Sequence, residues 1–96
     1  MHINQIDLKI MPTISAFLGL IIQMYYDEHN PPHIHVRCQG EKAIFNIQSG
    51  DITKGSLSKR NIRLVQAWIE LHRDELLMNW ELCQNDEHPY KIDPLK

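Results

Sequence analysis

The sequence predicts an α+β fold, a four- to five-stranded, mainly antiparallel meander sheet with one long C-terminal helix packed on one face. Three observations predict it. Residues 33–48 alternate apolar and polar side chains in two short runs parted by Gly40-Glu41, the pattern of half-buried antiparallel strands. From 59 to 83 there is no glycine or proline, and apolar residues recur at the helical period. The strand-like runs are separated by turns and loops rather than helices, so each pairs with its sequence neighbour.

Taken in order, residues 1–10 read as an N-terminal extension or edge strand, because Ile6, Leu8 and Ile10 alternate with polar neighbours. The single domain spans 11–83. "TISAFLG" and "LIIQMYYD" are β-branched and aromatic, and Gly19 between them marks a bend or bulge. After the "EHNPP" loop, "HIHVRCQ" and "KAIFNIQ" alternate strictly around a "GE" turn. "SGD" then reverses the chain, and "ITKG" pairs briefly before the helix.

Ser58 is placed to cap the helix. Ile62, Val65, Ile69, Leu76 and Trp80 form its apolar stripe, which Leu64, Trp68, Leu71 and Leu82 widen, with His72 inside the arc. Arg63, Gln66, Glu70, Arg73, Asp74 and Glu81 fall near the wet side. An arc this broad calls for cover beyond one sheet face, from the N-terminal strands or from another chain. Residues 84–96, polar and with two prolines, read as a tail on the surface.

Ninety-six residues with 43% apolar content supply one small core. A net charge of -2 gives no global pull toward nucleic acid or an anionic membrane. Locally the balance differs, since Arg37, Lys42, Lys54, Lys59, Arg60 and Arg63 face only Glu41 and Asp51 in residues 37–63. "AFLGLIIQMYY" is broken by Gln23 and falls short of the ~18 residues of a spanning helix, and the start lacks a basic-then-apolar pattern. Cys38 and Cys83 have no metal-site spacing and read as free thiols of a reducing compartment, so the expected location is cytoplasmic.

The segment "HNPPHIHV" holds three of the six histidines. With Ile34, Val36 and Cys38 turned to the core, strand alternation puts His33, His35 and Arg37 on the outer face. The same phasing brings Gln23, Tyr25, Asp27, Lys42 and Asn46 there, and the two prolines hold His29 nearby with little freedom.

Three chemistries suit that face. In the first, His33 and His35 act as base and acid, Arg37 and Lys42 clamp a phosphate, and His29 and Tyr25 assist, as in a metal-independent ribonuclease. In this reading Lys59, Arg60 and Arg63 at the helix start extend phosphate or nucleic-acid binding. In the second, His33 and His35 chelate a divalent transition metal with His29 or Asp27 as third ligand, although no cofactor is required by the first. In the third, the face is a plain binding surface for protein or nucleic acid.

At "MPTISAFLG", "HNPPHIHV", "SGDITKGSL" and "AWIELHRDELLMNWE" the sequence resembles the bacterial family called domain of unknown function 4160. The resemblance covers Met11 to about Cys83. Genes of that family often neighbour those of domain of unknown function 2442, an association commonly read as a toxin-antitoxin pair. The resemblance therefore implies a small cytoplasmic protein with a cognate partner of that second family, and it raises a ribonuclease-like toxin above a generic enzyme. The alternatives are a non-catalytic protein- or RNA-binding module, including the antitoxin half, or a metal-binding protein; a homodimer is also open. The family carries no assigned catalytic residues, so the histidine roles rest on strand geometry alone.

Overall fold

The computed structural model describes residues 12–96; the expected N-terminal extension or edge strand at 1–10 lies outside them. Strands β1 (Thr13–Phe17), β2 (Leu20–Gln23), β3 (His33–Cys38), β4 (Glu41–Asn46) and β5 (Ile52–Gly55) form one antiparallel sheet in sequence order. Helix α1 (Lys59–Gln84) follows, completing the expected α+β meander.

Two turns differ from their expected form. Gly19 is neither a bend nor a bulge: Leu18 (φ 52) and Gly19 (φ 83) are the centre of a two-residue hairpin. Positive φ at both centres matches the right-handed twist of the flanking strands, so the hairpin closes tightly. The irregularity in that strand pair lies instead between Thr13 and Ser15. The next hairpin turns at Gln39 (φ 49) and Gly40 (φ 84) by the same device, which leaves Glu41 as the first residue of β4.

Register sets the faces. Ile22, Val36 and Ala43 are cross-strand partners and all buried, as are Ile34 and Phe45 in the next row. They meet Val65, Trp68, Ile69, Leu76 and Trp80 of α1 in one core. Each large side chain so buried contributes ~1.5–3 kcal/mol. The opposite row runs Gln23, His35, Ile44, Lys54, with Arg37 opposite Lys42 one step along. Outward phasing of the β3 histidines and Arg37 therefore holds, although Gln23 on that face is buried rather than wet.

Ser58 caps α1 as the sequence suggests, its Oγ accepting the Asn61 N–H at 3.1 Å. The helix is not uniform, because His72 (φ -122, ψ 22) kinks it. Leu71, just before the kink, is 68% exposed and so does not join the apolar arc. Gln66 and Arg73, read as wet, instead donate to the Gly50 and Ile47 carbonyls and tie α1 to the β4–β5 connection.

Cover for the second side of α1 comes from the tail. The Trp68 indole N–H donates to the Asp93 carbonyl at 2.8 Å, Asn79 exchanges two hydrogen bonds with the Tyr90 backbone, and the Ile92 N–H donates to the Ile14 carbonyl. Ile92 itself is buried in the core. The segment forms no strand or helix, yet it straps the helix to β1. Among the described residues no helix is long and apolar enough to cross a membrane.

Candidate functional site

The outer face of β3 carries His33 and His35 two residues apart, and their rings lie 5.2 Å apart, centroid to centroid. Between them stands a carboxylate. Glu28 Oε1 lies 2.9 Å from His33 Nε2 and 2.8 Å from His35 Nε2, so one oxygen serves both imidazoles. All three side chains are half-buried, which weakens competition from water while leaving the group reachable.

Each member is held from outside. The Tyr25 ring stacks on His35 with centroids 3.9 Å apart and planes 4° from parallel. The Trp80 ring of α1 sits 5.0 Å from that of His33. Gln84 Nε2 donates to the Glu28 carbonyl at 2.8 Å and fixes the loop that carries the carboxylate. His33 Nδ1 lies 2.8 Å from the Pro31 carbonyl oxygen. A carbonyl only accepts, so Nδ1 carries the hydrogen and donates, and Nε2 of the neutral ring turns its lone pair to Glu28.

That leaves two acceptors facing each other at 2.9 Å. Such a contact is attractive only with a cation between, either a proton or a metal ion. The cluster can therefore hold and pass a proton, or ligate a divalent ion through an oxygen and two nitrogens.

The other expected site residues divide into three groups. Tyr25, Arg37 and Lys42 share the outer face with the cluster, and Lys54 joins them from β5, where Tyr25, His35, Lys42, Ile44 and Lys54 line one hollow. Among the described residues no carboxylate lies within ion-pair distance of Arg37, Lys42 or Lys54, so this row is free to meet an anion. His29 and Asp27 are exposed; His29 borders a neighbouring hollow with His33, Asn46 and Lys54, but neither residue reaches the pair of imidazoles. The carboxylate that does is Glu28.

Lys59, Arg60 and Arg63 are at the far end. Asn61 Nδ2 reaches Cys38 Sγ at 3.5 Å, which puts the start of α1 beside the last residue of β3. Five strand steps, ~17 Å, separate that residue from His33. These three basic residues do not join the cluster.

Glu28 and Gln84 were not singled out from sequence, while Trp80 was read only as part of the apolar stripe of the helix and Lys54 only as one of the basic residues of 37–63. Lys54 had a signal in its basic neighbourhood and its place on a strand. Glu28 had one in a carboxylate beside the His-Asn-Pro-Pro loop, but the alternation that favoured Asp27 stops where β2 ends. Gln84 and Trp80 act from the far end of the chain and had none.

No curated protein and no solved structure matches this chain. A family model does match, over residues 19–81, which include β2 to β5, the histidine cluster and most of α1. The chain belongs to the family described as "Domain of unknown function (DUF4160)".

Proposed function

We propose that this protein cleaves RNA phosphodiesters on the outer face of its sheet, as the enzymatic half of a toxin-antitoxin-like pair of small cytoplasmic proteins. The observation that carries the reading is the single Glu28 oxygen held between two imidazoles, beside an unneutralised row of Arg37, Lys42 and Lys54. A phosphodiester brings a negative charge to that row and places its phosphorus within reach of the cluster. In the metal-free form, one imidazole removes the 2'-hydroxyl proton and the other protonates the leaving 5'-oxygen. Stacking by Tyr25 supports this by holding His35 in one plane.

The partner belongs to the same proposal. Leu71 and Met78, on either side of the His72 kink in α1 and both largely exposed, give such a protein two apolar side chains to cover. A second reading, a non-catalytic RNA-binding module, is favoured by one observation: both Nε2 atoms are turned to Glu28 rather than to solvent.

The test is purified protein with end-labelled single-stranded RNA, read for both retention and cleavage. Cleavage that falls at least ~100-fold in His35→Ala and in Arg37→Ala supports the enzyme. Retention without cleavage gives the binding module instead, and neither retention nor cleavage overturns both. Induced expression is expected to arrest growth, with relief by His33→Ala plus His35→Ala.

A further inference from the structure

The geometry points to a divalent transition-metal site made by Glu28 Oε1, His33 Nε2 and His35 Nε2, open on one side to a phosphate oxygen. The metal binding stands by itself; only the phosphate as further ligand rests on the reading above.

Four observations converge. The three donor atoms lie within 4.8 Å of one another, and the carboxylate oxygen is 2.9 and 2.8 Å from the two nitrogens. Ligands that sit ~2.0–2.2 Å from a tetrahedral zinc-sized ion are themselves ~3.3–3.6 Å apart, so the oxygen and each nitrogen need to part by only ~0.5–0.8 Å to admit the ion. Second, the hydrogen bond from His33 Nδ1 to the Pro31 carbonyl selects the tautomer whose Nε2 lone pair points inward. This is the outer-shell contact that metal-bound histidines characteristically make.

Third, the ligands are pre-oriented. Tyr25 stacks on His35, Trp80 lies against His33, and Gln84 anchors the Glu28 backbone, so little freedom is lost when an ion arrives. Fourth, the donor set is two imidazoles and one carboxylate, a borderline set that suits Zn²⁺, Co²⁺ or Ni²⁺ better than Mg²⁺ or Ca²⁺. Three protein ligands leave at least one position for an outside group. With a single carboxylate the loaded site is cationic, and Arg37, Lys42 and Lys54 along the same face add to that charge. The open position is thus biased toward an anionic oxygen.

This site differs from the one expected from sequence. Asp27 and His29, the earlier third ligands, are replaced by Glu28, because the chain turns at Asp27 (φ 56) and brings the next residue to the histidines.

The experiment is titration of the full, untagged chain with Zn²⁺ against a competing chelating indicator, and with Co²⁺ followed by its ligand-field absorption. One equivalent is expected. Glu28→Gln, His33→Gln and His35→Gln should each weaken binding at least ~100-fold while circular dichroism and the thermal transition confirm the fold. His88→Ala removes an exposed imidazole outside the cluster and should change nothing. Titrations that show no saturable ion, or an affinity unchanged from the parent in all three variants, overturn the site. Should a variant unfold, the cobalt spectrum of the parent decides: bands of a low-symmetry nitrogen-oxygen site support it, and the spectrum of the aquo ion refutes it. RNA cleavage by a chain that takes up no ion in these titrations would leave the ribonuclease reading standing and this one fallen; metal bound by a chain that never cleaves RNA would do the reverse.

Discussion

Gln84 and Glu28, 56 residues apart, are joined by one hydrogen bond from the glutamine amide to the glutamate carbonyl, 2.8 Å long. Through it the last turn of α1 fixes the loop whose side chain lies between His33 and His35. The helix that fills the core thereby also positions the site. Its C-terminal end has two such duties, since Trp80 packs in the core while reaching the His33 ring.

Gln84→Ala should separate the two duties. Loss of one half-buried hydrogen bond costs about 1 kcal/mol in urea unfolding. Zn²⁺ affinity should fall about tenfold, because the carboxylate loses its outer support. An unchanged affinity at the reduced stability would show that the loop needs no anchor.

Gly55 tests the sheet edge. It sits at φ +78, and a Cβ there would lie 2.2 Å from the Lys42 carbonyl oxygen, the same oxygen that accepts the Ser56 N–H. Neither backbone can yield without breaking the β4–β5 pairing. Gly55→Ala is expected to destabilise by more than about 3 kcal/mol, against about 1–2 kcal/mol for Gly19→Ala, which has positive φ but open space. Paired urea melts read the difference, and equal losses would mean that φ alone matters.

The elements easiest to read from sequence were those with strict periodicity. Alternation along "HIHVRC" assigned the faces of β3, because a period of two leaves no third direction for His33 and His35. Ser58 was legible because a hydroxyl before a helical run has a specific partner in the first turn. Glu28 was not, since it lies beyond the end of β2 and its direction comes from Gln84 and from the turn at Asp27. The strapped tail was equally hidden: Trp68 and Asn79 bond to the carbonyls of Asp93 and Tyr90, and a backbone acceptor has no sequence signature.

That strap yields a stability prediction. Ile92 is 4% exposed, so Ile92→Ala leaves a cavity between the tail and the core and should cost about 2–4 kcal/mol. Trp68→Phe keeps most of the packing and removes only the donor to Asp93, at about 1–2 kcal/mol. Tail amides should lose exchange protection in both variants. A tail that is equally protected in Ile92→Ala would rule out the anchoring role.

The pH dependence of the fold in base should carry the mark of Cys83. This thiol is fully buried, and desolvation pushes it up from 9.0 to about 11. Below about pH 9 both folded and unfolded chains keep the proton, and stability is unaffected. Between about 9 and about 11 the unfolded chain has released it while the folded chain has not, so stability falls as pH rises. Beyond about 11 the loss levels off, at up to about 3 kcal/mol. Cys83→Ala starts from a lower stability because of its cavity, but it lacks this slope, so the difference between the two proteins should narrow across the window. Urea unfolding of both at stepped alkaline pH measures it. Cys38, half-buried and at the end of β3, should meanwhile react with a thiol reagent near neutral pH while Cys83 stays silent until the chain unfolds. Parallel curves for the two proteins would show that burial does not hold the Cys83 proton.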